Sequence, residues 1–224
     1  MTLRDILLGM IALCLLDTVS AAEPTAEQLR WLESDELAPP EFQVNTGELE
    51  FLATPPDKPV PHSDNTFWIT PTTLEDGWLR LRQCHENLDP VPELEVTYQY
   101  KQMHDLKIVE SENIRYAKVV ANTVQMTDLQ RGNRLCVEAR IRVLYPENGH
   151  YKLVNGPYHR RFLDGYYPYH VTLRIHYPAE QLEPISIQPE ARPGLTIQRH
   201  TGKLTIEAWF EGRLMTEVIF NRHD

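Results

Sequence analysis

The chain has 224 residues with 22 basic and 32 acidic side chains, a net charge of −10, and 42% apolar residues. That balance describes a globular chain and excludes a disordered one. The charge also excludes a broadly basic, nucleic-acid-binding face, because residues 23–65 carry −8 of it and residues 66–224 only −1.

The first 22 residues have the layout of an export signal. Arg4 opens a weakly basic start, Ile6 to Leu16 is an apolar run, and Val19 to Ala22 supplies small residues for cleavage. Eleven helical residues rise only about 16 Å, too short for a membrane span. The reading is a protein of the periplasm or one that is secreted, with no transmembrane span after signal removal. Cys14 then leaves with the signal. Cys84 and Cys136 remain, and an even pair in an oxidising compartment reads as one disulfide.

Residues 23–65 read as an acidic, Pro-rich linker, with seven of the chain's seventeen prolines. One short helix is expected from Thr25 to Leu37, with Thr25 as its N-cap.

From Thr66 to Asp224 the expectation is an all-β domain. Leu94, Val96, Tyr98 and Tyr100 alternate with polar residues. So do Leu135 to Val143, Tyr169 to Tyr177, and Leu204 to Phe210. Period two with one apolar face is the mark of antiparallel sheets. Weaker strands are expected at 66–70, 78–84, 106–110, 114–121, 124–128, 151–154, 185–188 and 195–199. Turns are expected at Gln130-Arg131-Gly132-Asn133, Pro146 to Gly149 and Glu211-Gly212-Arg213. No helix of useful length is expected here. The class is an antiparallel β-sandwich, with a partly open β-barrel as the alternative.

The segment Asn155 to Tyr177 draws most attention. It holds five tyrosines, three histidines and three arginines around Asp164-Gly165, a hairpin signal. A three-residue loop would pair Leu163 with Tyr167; a two-residue loop would pair Leu163 with Tyr166 and set His159 opposite His170. Arg, His and Tyr combine charge, hydrogen-bond donors and flat apolar faces, which suit an anionic, sugar-like or aromatic ligand. The candidate ligand-binding residues are Tyr158, His159, Arg160, Arg161, Asp164, Tyr166, Tyr167 and His170. The sequence holds no G-x-S-x-G, H-E-x-x-H or phosphate-cradling glycine loop, and no catalytic residue is assigned. His170 and His176 share a face but stand about 20 Å apart along a strand, too far for one metal ion. No metal, cofactor or nucleic-acid partner is expected. The functional expectation is an exported binding or accessory module for an envelope protein or small ligand. The other readings are an envelope hydrolase using His159, Asp164 or His170, and a structural subunit of an envelope assembly.

Overall fold

The computed structural model describes residues 44–223. The expected signal and the expected helix at Thr25 to Leu37 lie outside the described residues. The thirteen strands are β1 (Glu50–Phe51), β2 (His62–Trp68), β3 (Trp78–Glu86), β4 (Glu93–Thr97), β5 (Met103–Val120), β6 (Thr123–Arg142), β7 (Leu144–Glu147), β8 (His150–Tyr158), β9 (Tyr169–His176), β10 (Leu182–Gln188), β11 (Leu195–His200), β12 (Lys203–Glu211) and β13 (Leu214–Arg222).

They form a nine-stranded sheet in the order β1-β12-β9-β2-β3-β6-β4, with β11 on β12 and β5 on β6, and a four-stranded sheet in the order β10-β13-β8-β7. The two do not close into a barrel, and the protein is all-β and sandwich-like. Every pairing is antiparallel except β2 with β9, which run parallel. From β7 onward the chain passes repeatedly between the two sheets, so Glu211-Gly212-Arg213 links strands in different sheets rather than closing a hairpin. Gly212 has the positive φ expected, 85°.

The apolar halves of the alternating runs meet between the sheets. Leu81, Ile141, Leu173, Ile206 and Phe210 from the larger sheet pack with Leu153, Val218 and Phe220 from the smaller, all 2% exposed or less. A second apolar cluster, centred on Val124, Met126, Leu135 and Val137, lies under the β4-β5-β6 end.

Two local expectations are corrected, and one short helix is added. The folded body starts before Thr66: β2 begins at His62, Phe51 pairs with Phe210, and Asn45 bridges Tyr166. Parts of the acidic stretch, at Asn45, Glu50–Phe51 and from His62, are therefore paired with the body. A six-residue helix, α1 (Pro71–Asp76), follows β2, nucleated by a capping box between Thr70 and Thr73 and stopped by Gly77 in the left-handed region. Gln130 to Asn133 is no turn between strands. It lies inside the twenty-residue β6 opposite Asn113 alone, as a bulge. The buried Asn133 anchors it by donating to Leu88 O at 2.8 Å and Gln130 O at 2.7 Å while accepting from Leu88 N at 2.9 Å. On one side of the bulge β6 pairs with β4, on the other with β3. The expected turn at Asn148-Gly149 does form, with both residues at positive φ, as a two-residue hairpin requires.

Cys84 and Cys136 stand directly opposite each other on β3 and β6 and form the expected disulfide. By alternation both point away from the sandwich core, yet both are buried. Arg134 covers them: it lies 3.6 Å from the Cys84 sulfur, donates to Glu110 at 2.7 Å and pairs with Glu86.

Gly212 tests how tightly β1 is held. A Cβ there would lie 1.9 Å from the Glu48 carbonyl oxygen, and the backbone φ suits glycine alone. Gly212→Ala is expected to destabilise the domain by roughly 1–3 kcal/mol, read in a urea titration.

Candidate functional site

The expected hairpin around Asp164-Gly165 is not formed in either register. β8 and β9 belong to different sheets, and the pairing at the loop is Arg161 with Tyr166, leaving a four-residue tip. Phe162 N donates to Gly165 O at 2.9 Å, and Tyr167 N to Arg160 O at 3.0 Å. The loop leans on the segment at Val44 and Asn45, which accepts from Tyr166 N at 2.9 Å. Sequence pairing rules missed this because the competing partner lies 120 residues upstream.

This geometry divides the eight candidate residues. Tyr158, His159, Arg160 and Arg161 line a cavity of about 590 Å³. Asp164 is outside it and accepts from the Tyr167 hydroxyl. Tyr166 is buried beneath Arg161 and beside Gly47. Tyr167 packs edge-on against Phe162 at 5.4 Å. His170 lies on the opposite face of the large sheet, stacked between His62 at 4.0 Å and Trp209 at 3.9 Å, with its Nε2 2.9 Å from Glu207. Burial, then the neighbouring His62, lowers the pKa of His170 against the pull of Glu207. Strand alternation separates His170 from Tyr169, which points inward to the cavity.

The cavity's other walls come from residues that the sequence did not single out. The inward face of the large sheet is apolar along most of its length but polar at this end: Gln83 and His85 on β3 line the cavity, and Ser63 and Asn65 on β2 lie behind them, all 6% exposed or less. Gln83 donates to Ser63 Oγ at 2.9 Å, and Asn65 to Thr172 O at 3.1 Å. The signal was present in the sequence: Gln83 and His85 continue the inward phase of Leu79 and Leu81. A polar residue on a buried phase must find a partner or border a solvated space.

Tyr98 and Tyr100, just past the end of β4, enter from the other side. Tyr98 lies with its hydroxyl 3.4 Å from His85 Nε2. Tyr100 donates to Asn155 Oδ1 at 3.1 Å, and Asn155 in turn donates to the Tyr158 hydroxyl. Burial raises the pKa of all four phenols, Tyr98, Tyr100, Tyr158 and Tyr169, the last to about 12, so they stay protonated. Burial, with His62 nearby, pushes His85 down to about 4, so its imidazole is neutral at pH 7. Its Nδ1 is buried without a partner, and so is Nδ1 of His159.

At the mouth, Arg160 holds Asp89 through two hydrogen bonds, of 2.7 and 3.3 Å, and lies over Phe162. Glu93 and Glu95 also border the space. The inner lining is therefore a set of neutral donors and acceptors with flat aromatic faces; of its two cations, Arg160 is neutralised by Asp89 and Arg161 lies over the Tyr166 ring, with Glu93 and Glu95 at the border. Among the described residues no group of three or more His, Cys, Asp or Glu side chains is placed to hold a metal ion, and no helix is long and apolar enough to cross a membrane.

No protein-family model matches the chain, and no curated protein sequence matches it. Among solved structures it is similar to an M1 zinc metallopeptidase from Deinococcus radiodurans, an E323A mutant bound to a Tyr-Ser-Ala substrate, at 12% identity and a TM-score of 0.38. The match covers 77% of this chain and 42% of the peptidase, less than half of its length. A likeness at that level carries no argument about fold or activity.

Proposed function

We propose that the protein is an exported, non-enzymatic binding module, of the periplasm or secreted, whose ligand site is the cavity between Tyr158-His159-Arg160-Arg161 and the inward ends of β3 and β4. The observation that carries this reading is the cavity lined by the buried, neutral His85, a residue whose Nδ1 has no protein partner. A buried donor or acceptor left unpaired costs about 1–3 kcal/mol, and a ligand or water that supplies the bond recovers it. The cavity volume lies in the range of small-ligand sites, roughly 300–1,000 Å³.

Of the ligand classes the sequence suggested, we favour the sugar-like one over the anionic. An anion would meet Asp89, Glu93 and Glu95 and would find Arg160 already engaged. A neutral polyhydroxylated ligand offers hydroxyls that both donate and accept, matching phenols, imidazole and amide. The tyrosine faces would pack on its C–H surface. An envelope protein presenting such a group is the corresponding partner. The hydrolase reading has less support, because His159, Asp164 and His170 face three different environments and no two share the cavity.

The experiment is saturation-transfer NMR with a panel of neutral mono- and disaccharides against small carboxylates and phosphate. Neutral sugars are expected to bind. Tyr100→Phe together with Asn155→Leu is expected to weaken binding at least tenfold, since each removes a charge-free hydrogen bond of about 1 kcal/mol or more. Binding unaffected by that pair would show that the ligand sits elsewhere.

A further inference from the structure

The outward face of the large sheet, on the far side from the cavity, carries a second feature. Strand register places Lys203, His176, Trp68, Arg80, Arg140 and His104 in one row across β12, β9, β2, β3, β6 and β5. The row holds no acidic residue. The next row, about 7 Å along the strands, adds Arg174, Arg82 and Lys107 and a single acid, Glu138. Five inter-strand spacings make the rows about 24 Å long. The third row is of opposite sign: Glu207, Asp64 and Glu110 flank the disulfide.

These acids do not cancel the cations evenly. Asp64 takes Arg174, and Glu110 takes Arg82 at 3.1 Å. Glu138 takes Arg80 at 2.6 Å and Lys107 at 3.5 Å. Asp105 accepts from His104 at 2.7 Å at the row's end. Among the described residues, Arg140 and Lys203 have no carboxylate within 4.0 Å, and Arg140 is exposed. The Arg80 guanidinium lies 4.8 Å over one side of Trp68, and His176 stacks on the ring at 5.9 Å. That stacking restricts Arg80, one amino group of which also donates to Glu138 at 2.6 Å.

We propose that these two rows bind one chain of an anionic polysaccharide, laid across the strands with its carboxylate or sulfate groups on Arg140, Arg80 and Lys203. The shape of the patch selects among polyanions. It is long and narrow: past the first row the register adds only Arg142 beside Trp78, and past the second the sign reverses. A nucleic-acid duplex, with grooves of about 12 and 6 Å, would lay phosphates over Asp64, Glu110 and Glu207 in the third row. Single-stranded nucleic acid needs free aromatic faces for base stacking, and Trp68 has its ring engaged by His176 and Arg80. A lipid surface takes apolar side chains as well as cations, and the exposed Phe162 and Leu163 belong to the loop before β9, beyond the opposite end of that strand. A sparsely charged, narrow glycan chain meets none of these conflicts.

The test is retention of the whole protein on a sulfated polysaccharide and on a polyuronate, with calorimetry at 50 and 200 mM salt. Wild type is expected to bind at low salt and to lose at least tenfold in affinity at high salt, since the contacts are exchanges of counterions. Arg140→Glu with Lys203→Glu is expected to abolish retention, with the melting temperature checked in parallel. Lys118→Glu, an exposed charge reversal on the distal β5–β6 hairpin, is expected to keep retention to within twofold. If the double variant melts early, Arg140→Gln alone replaces it and is expected to lose about fivefold. Retention of both Arg140 variants, equal loss in Lys118→Glu, or preference for DNA or for phosphatidylglycerol vesicles over the glycans would each overturn the proposal. Neutral-sugar binding in the cavity is read separately and is expected to survive every one of these variants.

Discussion

Replacing Cys84 and Cys136 by alanine is expected to lower the unfolding free energy by about 4 kcal/mol. The cross-link joins residues 52 apart in sequence. In the chain-entropy picture, closing a loop of that length removes conformational freedom from the unfolded chain worth about 4 kcal/mol at 25 °C. For a domain of this size, roughly 2–4 °C of melting temperature accompanies each kcal/mol, so the drop is about 10 °C. The loop contains β4, β5 and most of β6, the same strands that carry the second apolar cluster. Either single alanine variant should lose nearly all of that stability, because one sulfur cannot cross-link. Thermal melts of the variants beside the oxidised wild type decide it; a midpoint within 2 °C of wild type would refute the role. The Arg134 cover adds a second expectation for the same experiment. Because the sulfurs are buried beneath its pairs with Glu86 and Glu110, a reductant should act on the folded protein far more slowly than on the unfolded one.

The second large effect is acid destabilisation through His85. Its pKa falls from 6.5 in an exposed chain to about 4 when folded. Between those values the unfolded state binds a proton that the folded state refuses, so stability falls as pH falls. The contribution is complete above pH 6.5, declines through the interval, and is lost below pH 4. A shift of that size corresponds to about 3 kcal/mol across the window. His170 and His159 are shifted in the same direction and add to the trend. Denaturant titrations at pH 7, 6, 5 and 4 should trace the decline, and His85→Leu should flatten it markedly. An unchanged slope in that variant would mean that another group controls the acid limb. The ligand experiment is linked to it: if His85 Nδ1 meets a ligand hydroxyl, affinity should fall over the same interval as the ring becomes protonated.

Alternation was legible along most of the main strands. Leu135 to Val143, Tyr169 to Ile175 and Leu204 to Phe210 bury the residues that their period assigned to the core, because side-chain direction along a strand is a local property; the run Leu94 to Tyr100 is strand only to Thr97, and of its apolar residues only Tyr98 is buried. The Asn148-Gly149 turn was legible for the same reason. The disulfide was legible from the count of cysteines. The site was half legible. Tyr158 to Arg161 do line the cavity, whereas His170, only nine residues on, faces the opposite side of a sheet. No rule of spacing could place it, because the loop between them changes sheets.

The sequence by itself determined the all-β class, which face of each main strand is apolar, and the pairing of Cys84 with Cys136. Each follows from the period-two geometry of the backbone or from simple parity. Only the tertiary structure decided which strands are neighbours. It therefore decided that Gln83, His85, Tyr98 and Asn155 border one cavity, that His62, His170 and Trp209 stack, and that Arg80, Arg140 and Lys203 share a row. Those groupings depend on contacts between distant segments, and the parallel pairing of β2 with β9, over a hundred residues apart, is settled by the total burial of the sandwich rather than by any local preference of either strand.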